Sequence, residues 1–180
     1  VMSYITNPTY SIYNGGITGS NNGTIRKCLV NAQISSPSDG GGMSGGIAGE
    51  NTGEIISCRT AGTISGYEAG GVVGYNYVLG SSITRCVNCA NINSTSSQTG
   101  GIVGFAYRGE LQNCLNMGSG AYCGIIGNCT YATADNCYYA SDYNSSGISF
   151  TDTGNTDKTI KNIICEKIDL NLAMNLLNLI

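Results

Sequence analysis

Hydrophobic and polar positions in this chain recur in short blocks, with neither a helical period nor one long alternation. A glycine-rich aliphatic step recurs five times: GGITG from Gly15, GGIAG from Gly45, GGVVG from Gly70, GGIVG from Gly100 and CGIIG from Cys123. A cysteine follows 12 to 15 residues after the second residue of each block, at Cys28, Cys58, Cys86, Cys114 and Cys137. The first apolar column is Ile17, Ile47, Val72, Ile102 and Ile125, all β-branched, as a pleated and buried strand prefers. A second is Ile25, Ile55, Ile83, Leu111 and Ala134, three residues before the cysteine. A third is Ile34, Ile64 and Ile92, which Gly120 interrupts. A spacing of three cannot stay on one face of a straight strand, so a bend or bulge must separate the second column from the sulfur.

A period of 23 to 30 residues means stacked coils. The predicted fold is all-β: a parallel β-solenoid of about five coils over residues 1–149, triangular or flattened in section. Residues 150–180 read as a closing loop and a C-terminal cap, helical or irregular. There Asp169 could cap a helix with apolar positions at Leu170, Leu172, Ala173, Leu176, Leu177 and Ile180. The start of a next domain, or one more strand pair, is the alternative. The opening VMSYITNPTYS already reads as strand and turn, which suits a piece of a longer protein. Gly19, Gly49, Gly74, Gly104 and Gly127 share one column, which implies a backbone position with no room for a side chain.

The nine cysteines would suggest a disulfide framework in a small secreted protein. Register argues otherwise. Equivalent residues of stacked coils lie about 4.8 Å apart, whereas bridged Cβ atoms lie about 3.8 Å apart in a twisted geometry. The column therefore reads as buried free thiols acting as small hydrophobes. Cys89 aligns with Asn31, Ala61 and Met117, so Cys86-Val-Asn-Cys89 is a CxxC by accident of register. With no second ligand pair and no histidine, no metal site is expected. Cys123 and Cys129 are close enough in sequence for a bridge to be conceivable.

Only 11% of residues are charged, against about 25% in ordinary globular chains. Net charge is −3, and the eight basic residues are scattered singly, so no nucleic-acid footprint exists. No apolar run is long enough for a transmembrane helix. Insertions collect in loops, the longest being 35–44, SSPSDGGGMS, with the composition of a flexible surface turn.

The unit GGIAGENTGEIISCRTAGTISG, residues 45–66, resembles a GLUG repeat, and Asn113-Cys114-Leu115-Asn116-Met117-Gly118 and Asn136-Cys137-Tyr138-Tyr139 carry that pattern's second half. The resemblance spans roughly residues 15–149. It departs where the asparagine of Asn21, Asn51 and Asn76 becomes Ala106 and Cys129, and where Cys123 replaces glycine. It implies a parallel β-solenoid in a large exported bacterial protein, extracellular or at the cell surface. Relatives of that kind include proteins regarded as adhesins and the non-catalytic part of some immunoglobulin A peptidases. It carries no catalytic residues and no cofactor.

Residue chemistry adds one candidate surface. If the strand stays straight, Tyr75 and Tyr77 face outward, with Phe105 and Tyr107 in the same columns one coil later. Such a two-by-two aromatic patch suits stacking on sugars or on a partner protein; ordinary ladder stacking between coils is the competing use. The tyrosines Tyr138, Tyr139 and Tyr143 would roof the last coil.

Enzyme signatures fail. Ser44 sits in a formal GxSxG, Gly42-Met-Ser-Gly-Gly46, and residues 40–45 in a formal GxGxxG. Both read as glycine-rich loop without the helix or histidine those motifs need. Glu54 and Glu110 share a column two coils apart with Ser82 between, about 9.6 Å along the stack. That suits an inverting glycosidase pair, but both precede an inward aliphatic and so point to solvent. The expected function is a non-enzymatic module that displays a binding face for glycan or host protein, against a passive spacer or, as a lesser alternative, a polysaccharide-active β-helix enzyme.

Overall fold

The computed structural model describes residues 2–6, 12–37, 41–140, 147–150 and 165–168. All described regular structure is strand, and every pairing is parallel. Each coil passes through four short sides. In the second coil these are Met43–Gly45, Ala48–Asn51, Glu54–Ile56 and Arg59–Ser65. Their equivalents stack into sheets of four, six, five and eight strands among the described residues. Four coils carry all four sides. The fifth replaces its first side by a single bridge, Gly100 to Cys123, and continues through Ile126–Cys129, Thr133–Asp135 and Cys137–Ala140. Beyond it, Ile148–Phe150 and Cys165–Ile168 add one more rung to two sides.

The cross-section is four-sided, not triangular. The side missing from the hydrophobic pattern is the one ahead of the glycine pair. It turns Asn14, Ser44, Ala69 and Thr99 inward, all 4% exposed or less. Small and polar residues leave no apolar column to read. Met43–Gly45 is therefore strand, where the composition of 35–44 suggested only surface turn. Gly40, Tyr143, most of the closing loop and cap expected over 150–180, and with it the helix expected from Asp169, lie outside the described residues.

The three apolar columns do form the core. Ile47, Val72, Ile102 and Ile125 are fully buried, with Ile55, Ile83 and Leu111 beneath the next side and Ile34, Ile64 and Ile92 on the fourth. Burying each such side chain contributes on the order of 2 kcal/mol. Ile17, Ile12 and Leu29 in the first coil are exposed; among the described residues no strand lies outside Thr18–Asn21 on its side.

Backbone conformation makes the bend before each cysteine. Lys27, Ser57, Arg85, Asn113 and Asn136 all adopt left-handed geometry, with φ between 49° and 55°. One such residue reverses the side-chain direction, so the aliphatic three positions earlier and the sulfur both point inward. Cys58, Cys86, Cys114 and Cys137 are buried, and Cys28 is half-buried at the open end. Each thiol of the column donates to the carbonyl two residues earlier, as Cys114 Sγ does to Gln112 O at 3.4 Å. The eight cysteines from Cys28 to Cys137 form no disulfide, and the thiols of Cys123 and Cys129 lie near the carbonyls of Gly127 and Ala132. Cys86 belongs to the main core, whereas Cys89 packs in a small outer cluster with Val87, Leu115, Met117 and Tyr138, so the two CxxC sulfurs sit apart.

Two amide ladders run along the stack. Asn21 Nδ2 donates to Asn51 Oδ1 at 2.7 Å, and Asn51 Nδ2 to Asn76 Oδ1 at 2.9 Å. Where Ala106 ends the series, Asn76 Nδ2 turns to Arg108 O at 2.7 Å. On the fourth side Thr60 Oγ1 donates to Asn88 Oδ1, and Asn88 Nδ2 to Asn116 Oδ1, each at 2.8 Å. The next position is Tyr139, which is buried at 6% exposure and packs into the core of the last coil.

Candidate functional site

The site begins with glycine. At Gly74, an added Cβ would lie 2.7 Å from Ser44 N and 2.9 Å from Met43 C; at Gly104, 2.8 Å from Glu68 C; at Gly49, 2.6 Å from Tyr13 C. The second side of each coil thus rests directly on the first-side backbone of the coil before it, which only a residue without a side chain allows. Two outer columns become neighbours: Tyr13, Met43 and Glu68 on the first side, and Ser20, Glu50, Tyr75 and Phe105 on the second.

The expected aromatic block is assembled as the columns require. Tyr75 pairs in register with Phe105, and their ring centroids stack at 5.2 Å. Tyr77 and Tyr107 follow directly after the same strands and stack at 5.7 Å. Tyr75 and Tyr77 lie 5.3 Å apart at a tilt. Tyr77 is 44% exposed; the other three rings are half-buried.

Two further residues lengthen the strip. Tyr131 meets Tyr107 edge-on at 5.5 Å and is itself 40% exposed. The exposed Arg108 lies over both rings, 5.4 Å from the Tyr107 centroid and 5.7 Å from that of Tyr131. Column counting misses Tyr131 because Asn76, Ala106 and Cys129 are in register, which puts Thr130 in the next column. Tyr131 stands level with Arg108, one position past the Tyr107 column, and still meets the Tyr107 ring edge-on.

The opposite end is acidic. Ser20 Oγ donates to Glu50 Oε2 at 2.7 Å, and the Tyr13 hydroxyl hydrogen-bonds the same carboxylate. Burial first, then Glu50, raises the Tyr13 phenol above its ordinary value. Tyr75 is pushed up to about 12, chiefly by desolvation, with Tyr77, Glu68, Tyr13 and Glu50 adding to it. Glu68 is 8% exposed, its Oε2 has no hydrogen-bond partner, and burial lifts its carboxyl to about 7. These acids gave no sequence signal, since Glu50 and Glu68 stand in different columns of different coils.

The other candidates fall elsewhere. Glu54, Ser82 and Glu110 are in register on the third side, with both acids exposed. Thr24 Oγ1 donates to Glu54 Oε2 at 3.2 Å. Ser44 is fully buried on a strand, its Oγ 2.7 Å from Ser36 Oγ, so it cannot meet a substrate as a nucleophile.

Fold and register together define a parallel β-solenoid with an aromatic outer strip. No helix among the described residues is long and apolar enough to cross a membrane. Comparison with family models, with curated proteins and with solved structures returned no match for this chain.

Proposed function

We propose that this chain is a non-enzymatic display module of an exported bacterial surface protein, related to the GLUG-repeat proteins, and that its aromatic strip binds glycan or host protein as an adhesin does. The observation that carries the reading is the Tyr77–Tyr107 stack, continued by Tyr131 and ending at Arg108 on the same outer face. Flat rings with one exposed face stack on the apolar face of a sugar or on partner side chains, and an exposed guanidinium adds directed donors. The solenoid supplies rigidity: each ring is fixed by its neighbour one coil away. Contacts of this kind are individually weak and gain through repetition along a long chain.

A passive spacer is the second reading. The half-burial of Tyr75, Phe105 and Tyr107 favours it, because rings stacked on each other already stabilise the coil. A glycan array and a host extracellular-protein array, probed with the wild-type chain and with Tyr77→Ala and Tyr107→Ala, separate the two. Retained signal for the wild type and loss for both variants supports adhesion. Absence of any signal favours the spacer.

A further inference from the structure

We infer that Glu68, flanked by Glu50 and the rings of Tyr13 and Tyr75, forms a subsite for a protonated alkylamine. Four observations converge on it. Glu68 is more than nine-tenths buried, yet its Oε2 lacks any hydrogen-bond partner among the described residues. A buried polar atom without a partner is costly, and a ligand N–H supplies what is missing. Second, a further carboxylate, Glu50, acts on the same two tyrosines as Glu68 does, so two negative groups converge on one spot. Third, both carboxylates act on the phenols of Tyr13 and Tyr75, and tyrosines close to carboxylates suit an ammonium group, through cation–π attraction and a charge-assisted hydrogen bond. Fourth, the chain is acidic overall, with net charge −3, which draws cations to it. Oε2 itself is covered, so the amine reaches it once the Glu68 side chain turns outward.

The proposal deepens the adhesive reading but stands on different residues, so the two fail separately: the arrays test Tyr77 and Tyr107, and the amine test turns on Glu68. Arg108 belongs to the far end of the strip, over Tyr107 and Tyr131.

The test is an NMR amide-shift titration of the whole chain with n-butylammonium chloride at pH 8, with sodium chloride as the ionic-strength control. Saturable shifts at Glu68, Glu50 and Tyr75, at least tenfold weaker binding in Glu68→Gln, and unchanged binding in Glu110→Gln, which removes an exposed acid on the third side, support the site. Glu68→Gln is isosteric, and its unfolding midpoint is recorded alongside. A measurement free of variants uses the wild type at pH 5.5, where the amine stays charged but the Glu68 carboxyl takes up its proton; affinity should fall at least tenfold. Shifts that never saturate, or affinity indifferent to both Glu68→Gln and pH, overturn the proposal. Parallel titrations with Nα-acetyl-lysine amide and with glucosamine name the source: the tighter of the two identifies a protein lysine or an amino sugar as the group recognised.

Discussion

The side-chain amide of Asn51 bridges two coils at once, accepting from Asn21 Nδ2 and donating to Asn76 Oδ1 at 2.9 Å across 25 residues of sequence. All three side chains are buried. Replacing Asn51 by alanine strips Asn76 Oδ1 of its donor inside the stack. The expected loss is about 2–3 kcal/mol, the cost of an unsatisfied buried acceptor plus the bond itself. Urea unfolding followed by circular dichroism measures it; a loss under 0.5 kcal/mol would show that the ladder contributes little.

Glycine at the column between the first two sides is a steric requirement. In Gly74→Ala the new methyl would meet Ser44 N and Gly49 O, both backbone, at 2.7 Å. Neither atom can swing aside as a side chain could, so the rungs must separate, at a cost of about 3 kcal/mol or more. Gly23→Ala is the matched control, with nothing within 4 Å of its added carbon, and should stay within about 0.5 kcal/mol of wild type. Equal effects at both positions would dismiss the close approach of the two sheets.

Left-handed backbone before each sulfur offers a stabilising change. Arg85 holds φ 53°, whereas the fourth and fifth coils place Asn113 and Asn136 at the same point. Asparagine tolerates that region better than arginine. Arg85→Asn is expected to gain about 0.5–1 kcal/mol, a rise in Tm of about 1–4 °C. Ser57→Val, which puts a β-branched residue there, should lower Tm instead. Scanning calorimetry on the three proteins decides the matter.

Stability should fall with rising pH because of Glu68. Burial lifts its carboxyl from 4.5 to about 7, so the folded chain binds a proton that the unfolded chain has released. The favourable contribution is fully present below about pH 4.5 and is lost as pH climbs through 7. At pH 8 the ionised, buried carboxylate costs about 2–3 kcal/mol relative to acid conditions. Glu68→Gln removes the dependence and raises stability at pH 8. Denaturation midpoints at pH 5 and pH 8 for both proteins report it, and a wild-type chain with no such slope would contradict the burial of this side chain.

Much of the architecture was legible in the residues. Ile47, Val72, Ile102 and Ile125 recur at one position because each coil must bury one aliphatic at the same height, and the cysteines repeat for the same reason. The aromatic block was legible too, because parallel register places Phe105 beside Tyr75 once the repeats are aligned. The first side escaped notice, since Asn14, Ser44, Ala69 and Thr99 share size more than hydrophobicity. Tyr131 escaped because it stands one position past the Tyr107 column, level with Arg108, and meets Tyr107 only through the reach of its side chain.

Local residue choice thus determined the repeat, its parallel stacking and the inward columns, since periodic burial and a glycine without a Cβ are written position by position. The corners were decided only in three dimensions. Whether Glu68 ends near Tyr75 and Tyr13 depends on how tightly one sheet folds over the backbone of another, a distance set by Gly74 and Gly104 acting on residues of a different coil. Register aligns Glu68 with Tyr13, and one coil carries Glu68 and Tyr75, but the order of residues does not state how closely the two sides approach.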